Sequence, residues 1–309
     1  TGEKVVRERI LPGAILVRIA NSHIRVGTFQ YFAARQMTKE IKILADYIIE
    51  RHFELSLSSK NIYEKFLMEI IKSQANLISK WMSAGFIHGV MNTDNTCLSG
   101  ETIDYGPCAF MDIFDYNKVF SSIDYQGRYS YKNQPNIILW NLTRFAETIL
   151  PLIDNNLNKS IKKAEEILNE FASIYESNWI SIMGYKLGID EANKTDKNLI
   201  EEFLTLMQNQ QLDFTNSFYS LSFLIEKDQI EKEGPPKSHK IYSKIKSSDW
   251  YAKWTKRLNI NKKNLKKILK TLLINNPSVI PRNHIVEKVL NDAIYENKKD
   301  SLNEFLNAL

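Results

Sequence analysis

The chain has 309 residues, 43% hydrophobic and 25% charged, a balance that suits one large folded domain or two modest ones and argues against disorder. No run of about 18 apolar residues occurs, which excludes a membrane-spanning helix, and no charged-then-apolar leader opens the chain. The net charge of +5 is uneven, because Glu231 to Leu309 holds 17 Lys and Arg against 8 Asp and Glu, a surplus able to attract acidic surfaces or nucleic acid.

The chain opens on "TGEKVVRERI" rather than Met and is expected to be part of a longer protein. In "KVVRERILPGAILVRIA", two β-branched runs joined by Pro12-Gly13 predict a hairpin or tight strand connection. From about Phe32 the period becomes helical, through Ile41, Leu44, Ile48 and His52. A longer helix is predicted from Asn61 to Ala84, through Ile62, Phe66, Ile70, Leu77 and Trp81, with Gly85 as its stop. Apolar stretches flanking Ser99-Gly100 predict a tight hairpin. "NIILWNLTRFAETILPLI" reads as helix up to Pro151. Further amphipathic helices are predicted at about 158–176, 195–209, 248–258, 262–274 and, with a break, 283–308. "EKEGPPKSHK" (231–240) reads as a loop.

Cys97 and Cys108 are too few for a disulfide framework or a four-cysteine zinc site. Both are expected as reduced thiols that behave as small hydrophobes. "KKNLKKILKTLL" places Lys262, Lys263, Lys266, Lys267 and Lys270 opposite Leu265, Ile268, Leu269 and Leu272. That pattern reads as a solvated helix face, so no nucleic-acid partner is expected.

The chemistry-bearing stretch is "HGVMNTDN", residues 88–95. Kinases carry a catalytic loop of the form His-x-Asp, with a metal-binding Asn five residues after the Asp. Here Asn95 is in its slot, but the Asp slot holds Val90, which cannot accept a proton. The nearby carboxylate is Asp94, a base displaced four residues along the loop. Asp104 lies in Asp-Tyr-Gly, a variant of the kinase metal motif Asp-Phe-Gly. Asn95 and Asp104 offer the oxygen donors that Mg²⁺ prefers, and the arrangement hints at phosphate chemistry with shifted geometry. Arg18 and Arg25 are planar forks suited to phosphate oxygens, though on their own they read rather as a surface pair. His88 is expected to be structural.

The segments "RIANSHIRVGTFQYFAARQ", "AGFIHGVMNTDN", "GETIDYGPCAFMD", "DYQGRYSYKNQPNIILWNLTRFAE" and "NPSVIPRNH" together resemble the selenoprotein O family, kinase-like protein adenylyltransferases once classed as pseudokinases. The resemblance covers nearly the whole chain, in order. It implies an α+β, mostly α fold of protein-kinase type. Residues 1–30 would be a remnant of the N-lobe strands, 31–155 a helical C-lobe with the catalytic loop, and 156–309 a helical extension. It implies transfer of AMP from ATP to Ser, Thr or Tyr hydroxyls of protein substrates, with release of pyrophosphate. Asp94 would accept the hydroxyl proton, Asn95 and Asp104 would hold Mg²⁺ or Mn²⁺, and Arg18, Arg25 and Asp104 would contact the nucleotide. The family's glycine-rich loop, ATP-contacting Lys and its Glu partner would lie upstream of Thr1. The Cys- or selenocysteine-bearing tail would follow Leu309. The chain alone would then lack part of the nucleotide pocket. Two alternatives stand beside this: a non-catalytic nucleotide-binding scaffold, and UMP transfer from UTP by the same site. No membrane partner is expected, and the location would be cytoplasmic for a bacterial protein or mitochondrial for a eukaryotic one.

Overall fold

The computed structural model describes residues 1–6, 10–227, 239–295 and 300–309. Among these the chain is mostly helical, with twelve α-helices and two small antiparallel strand pairs, in keeping with the α+β, mostly α expectation. None of the described helices is long and apolar enough to cross a membrane.

The centre is built by α3 (Ile62–Ala84), α4 (Gln134–Ile153) and α5 (Leu157–Lys186), which pack on one another. The helical period predicted for α3 buries Phe66, Ile70 and Trp81, and Gly85 ends the helix. Helix α4 runs two residues past the expected stop, because Pro151 falls in its last turn, where a lost N–H breaks little of the ladder. Asn156 caps α5 by accepting the Lys159 N–H at 3.1 Å.

Two short helices precede this trio, α1 (Val26–Ala33) and α2 (Thr38–His52). The helical period expected from about Phe32 thus starts earlier, at Val26 of α1. Eight residues cannot hold a helix alone. Phe29, fully buried, anchors α1 by meeting Phe145 of α4 edge-on at 5.1 Å, and Phe145 meets Phe66 of α3 at 5.7 Å. Burial of rings of this size stabilises by roughly 1.5–3 kcal/mol each.

The remaining helices are α6 (Lys197–Gln210), α7 (Phe214–Lys227), α8 (His239–Lys246), α9 (Asp249–Leu258), α10 (Leu265–Asn275), α11 (Asn283–Tyr295) and α12 (Asp300–Ala308). Helices α7 and α8 have no counterpart among the predicted elements. Ser217, Ser220 and Ser222 of α7 are buried, each satisfied by bonding its hydroxyl back to a backbone carbonyl. Serines on the buried face erase the apolar period that would have marked the helix. The predicted loop at 231–240 lies outside the described residues except for its last two, which open α8. In α10, Ile268 and Leu272 are buried while Lys266, Lys267 and Lys270 are exposed, as are Lys262 and Lys263 just before the helix, as a solvated face requires.

The strands depart from expectation. β1 (Lys4–Val6) pairs antiparallel with β2 (Ile10–Pro12), so the chain reverses between Val6 and Ile10 and not at Pro12-Gly13. The second predicted run forms no strand. Ile15, Leu16, Val17 and Ile19 are between 76 and 94% exposed, without a neighbouring strand among the described residues to take their backbone bonds. The Ser99-Gly100 reversal exists as a tight turn, with Gly100 N–H on Cys97 O at 3.1 Å, but its flanks do not pair. Cys97 bridges to Arg25, and Leu98 N–H donates to Ile24 O at 2.9 Å. The strands nearby are β3 (Phe86–Ile87) and β4 (Ala109–Phe110), paired with each other. Cys97 and Cys108 are free thiols, as expected, and Cys97 is buried.

Candidate functional site

The loop after β3 is pinned from below by α4. Gln134 and Asn141 are seven residues apart on one buried stripe of that helix, both fully buried. Gln134 donates to Phe86 O at 2.9 Å and accepts the His88 N–H at 3.1 Å. Asn141 donates to Met91 O at 3.0 Å and to the Thr96 hydroxyl at 2.8 Å. Both ends of the loop are therefore tied to a rigid element.

His88 is structural, as expected. It is fully buried, stacks on Trp81 at 5.3 Å, and donates from Nε2 to Ile103 O at 2.8 Å. Burial lowers its pKa against the raising effect of the Ile103 carbonyl, so the ring is neutral at pH 7 and its Nδ1 is free to accept the Val90 N–H at 3.4 Å. Because Ile103 precedes Asp104, this neutral imidazole fixes the 88–96 loop relative to the Asp-Tyr-Gly loop. Gly89, at φ +82°, adds a close approach: a Cβ there would meet Pro107 Cγ at 3.0 Å.

Val90 takes a role that its side chain does not supply. Its carbonyl accepts the Asn95 Nδ2 at 3.0 Å. The Asn95 amide is thereby oriented with its nitrogen inward, which leaves Oδ1 available to a ligand. Asp94 sits beside it in a 3₁₀ turn, Thr93–Asn95, and is exposed. Its carboxylate packs against the first turn of α1: a Cβ on Gly27 would lie 2.0 Å from Asp94 Oδ1. The glycine thus makes room for this carboxylate, and the amino end of α1 carries partial positive charge that suits an anion.

Asp104 holds a left-handed backbone at φ +59°, a conformation that costs a non-glycine residue on the order of 1 kcal/mol and is concentrated at functional positions. Gly106 N–H closes the turn on Asp104 O at 2.8 Å. The Asp104 carboxylate meets one partner, Arg18 Nη1 at 3.3 Å, and both side chains are nearly half exposed. The Arg18 guanidinium also lies 5.9 Å from the Tyr105 ring.

Arg18 and Arg25 lie on either side of a segment strapped to the 97–101 turn. Asn21 places its N–H and its amide nitrogen on the Glu101 carboxylate, each at 3.0 Å, and Cys97 Sγ donates to Ser22 O at 3.0 Å. Arg25 opens α1, and its guanidinium has no ion pair or hydrogen bond among the described residues. The structure therefore brings Arg18 to Asp104 directly and sets Asp94 next to Asn95, while Arg25 touches neither aspartate.

Among the described residues no three His, Cys, Asp or Glu side chains cluster as a metal site. The donor set that does occur, one carboxylate and one oriented amide oxygen, is the sparse kind that Mg²⁺ uses when phosphates and water fill the shell. A guanidinium already resting on Asp104 marks that carboxylate as a place for positive charge. The residues fit a hard divalent cation in that sense.

Sequence reasoning missed Gln134, Asn141 and Gly27. A signal existed for the first two, polar residues seven apart on the apolar face of α4. For Gly27 none existed, since its neighbour Asp94 is 67 positions away in the chain. A cavity of about 710 Å³ lies elsewhere, between α4, α5 and α6, and holds no member of this constellation.

Comparison with known proteins places the chain in a family. A family model described as protein adenylyltransferase SelO matches residues 1–309. A protein nucleotidyltransferase YdiU of Clostridium perfringens (strain ATCC 13124) is 50% identical over 293 residues, covering 95% of this chain and 58% of the relative. A protein of the same name from Clostridium botulinum (strain 657) is 47% identical over 309 residues, covering all of this chain and 61% of the relative. The chain thus spans about three-fifths of the length of these curated relatives.

Proposed function

This chain belongs to the SelO family of protein adenylyltransferases, and from that premise we propose that the whole protein transfers AMP from ATP to Ser, Thr or Tyr hydroxyls of proteins. The observation that carries the reading is the division of labour in the 88–96 loop. Val90 gives up the usual base position and orients Asn95 through its carbonyl, while the carboxylate stands at Asp94 beside Gly27.

In this reading Asp94 takes the proton of the incoming hydroxyl. The hydroxyl oxygen bonds to the α-phosphorus of ATP, the bond from that phosphorus to the bridging oxygen of the β-phosphate breaks, and pyrophosphate leaves. Arg18 and Arg25 bind phosphate oxygens, where charge develops. Asn95 Oδ1 and the Asp104 carboxylate would hold Mg²⁺ or Mn²⁺, which supplies charge neutralisation at the phosphates. Arg18, held on Asp104 by one exposed contact, would be free to turn to a phosphate oxygen. The order of a long helix, a loop with Asp94 and Asn95, and an Asp-Tyr-Gly turn flanked by β3 and β4 supports a protein-kinase-like fold. We extend this to the division into strand remnant (1–30), C-lobe (31–155) and helical extension (156–309).

Two substitutions in the full-length protein test the roles. Asp94→Ala is expected to lower transfer by about 10²–10⁴-fold, the usual contribution of a general base, while ATP still binds. Asp104→Ala is expected to lose metal-dependent ATP binding. Turnover like that of the wild type in either variant removes that residue from the mechanism.

A further inference from the structure

Lys186 ends α5 and is 6% exposed. Lysine is seldom buried so deeply without a carboxylate, yet no ion pair reaches it among the described residues. Its Nζ has one long hydrogen bond, to Asn275 O at 3.4 Å, and lies 4.5 Å from the Phe218 ring. Burial pushes the amine down to about 7.

The side chain lines a cavity of about 300 Å³ with Thr215, Phe110, Ile182, Pro277 and Ile280. Thr215 is 4% exposed, and its hydroxyl makes no hydrogen bond among the described residues. Two polar side chains, each more than nine-tenths buried, thus bring unspent donors to one small chamber whose remaining walls are apolar except for Ser83 and Asn275. An ammonium carries three donors and a hydroxyl one, so the complement is an acceptor with negative charge. A doubly charged phosphate would leave charge uncompensated beside a single cation in apolar walls. A carboxylate on a short hydrocarbon chain satisfies the donors and fills the walls, and the volume suits a molecule at the small end of the ligand range.

We propose that this cavity is a binding site for a small aliphatic monocarboxylate, with Lys186 and Thr215 on its oxygens and Ile182 and Ile280 along its chain. The site is separate from the Asp94 loop and does not depend on the transfer reaction. Butyrate is the probe and butyramide its neutral counterpart, each titrated into the protein by calorimetry. Butyrate should bind at one saturable site, and butyramide at least about tenfold more weakly, as loss of a charge-assisted hydrogen bond implies. Lys186→Met keeps the volume, removes the buried amine and should abolish butyrate binding in a folded protein. Thr215→Val should weaken it several-fold, about the effect of one neutral hydrogen bond. If Lys186→Met does not fold, Ile280→Phe, which fills the chamber, must block butyrate. Absence of butyrate binding, equal binding of butyramide, or unchanged binding in the folded variants would overturn the assignment. So would trapping of butyraldehyde on Lys186 by borohydride without butyrate binding, which would make the amine a nucleophile instead.

Discussion

Arg18 meets Asp104 through one nitrogen at 3.3 Å with both side chains nearly half exposed, whereas Arg257 grips Asp196 through two nitrogens, at 2.6 and 3.1 Å, with the carboxylate 3% exposed. Arg282 is of the second kind: it joins Asp112 and Asp213, and its own side chain is only 17% exposed. These forks each have a well-buried member, Asp196 or Arg282, and they tie the start of α6 to α9 and the loops before α7 and α11 to the loop after β4. The exposed contact holds almost nothing, and a loose, solvated pair is the kind that phosphate and a divalent cation can displace. Ion pairs that look alike in composition divide here into structural joints and one loose, exposed contact.

The largest effect expected from breaking this contrast is on the structural side. Asp196→Ala leaves a guanidinium without its fork and the Asn193 N–H without its acceptor, and should cost about 3 kcal/mol in urea unfolding. Burial opposes the charged form of Asp196, but the Arg257 and Asn193 bonds outweigh it, so its pKa lies below the ordinary 3.8. Its stabilisation is therefore complete above that ordinary value and is lost as pH falls through the lower folded-state value. Urea midpoints measured against pH should fall less steeply on the acid side in Asp196→Asn than in the wild type.

Next comes Gly27→Ala. The added methyl must push the Asp94 carboxylate aside. A displacement of about 1 Å at a reacting group is worth on the order of 10² in rate, while helix propensity favours alanine by up to about 1 kcal/mol. The full-length variant should lose most transfer activity, keep ATP affinity, and melt no lower than the wild type. A fully active Gly27→Ala would show that the close approach has no bearing on the base.

The smallest effect on stability belongs to Arg18→Ala. An exposed pair contributes less than about 1 kcal/mol, so its melting temperature should barely move, while ATP affinity weakens. A large drop in melting temperature would place Arg18 among the structural joints and erase the contrast.

The legible parts of this chain are those where one local rule dominates. Helix α3 could be read from its period and from Gly85, while Asp94, Asn95 and Asp104 are candidates by their spacing after His88. What could not be read depends on distant partners. β1 and β2 have three residues each and β3 and β4 two each, too short for alternation to appear. Cys97 and Leu98 pair with Arg25 and Ile24 instead of across the Ser99-Gly100 turn, because the segment before α1 offers a partner that local sequence cannot reveal. Helix α7 hid behind serines that satisfy themselves on their own backbone. At the site, the residue types were visible, but the Val90 carbonyl on Asn95 and the seat of Asp94 on Gly27 belong to tertiary structure.

The central claim is that an Asp94-centred site transfers a nucleotidyl group and not a phosphoryl group. Its most direct measurement incubates the full-length protein and a protein substrate with ATP labelled at the α position or, in parallel, at the γ position, in the presence of Mg²⁺ or Mn²⁺. Protein should acquire the α label while the γ label leaves in pyrophosphate. Protein carrying the γ label and not the α label would contradict it.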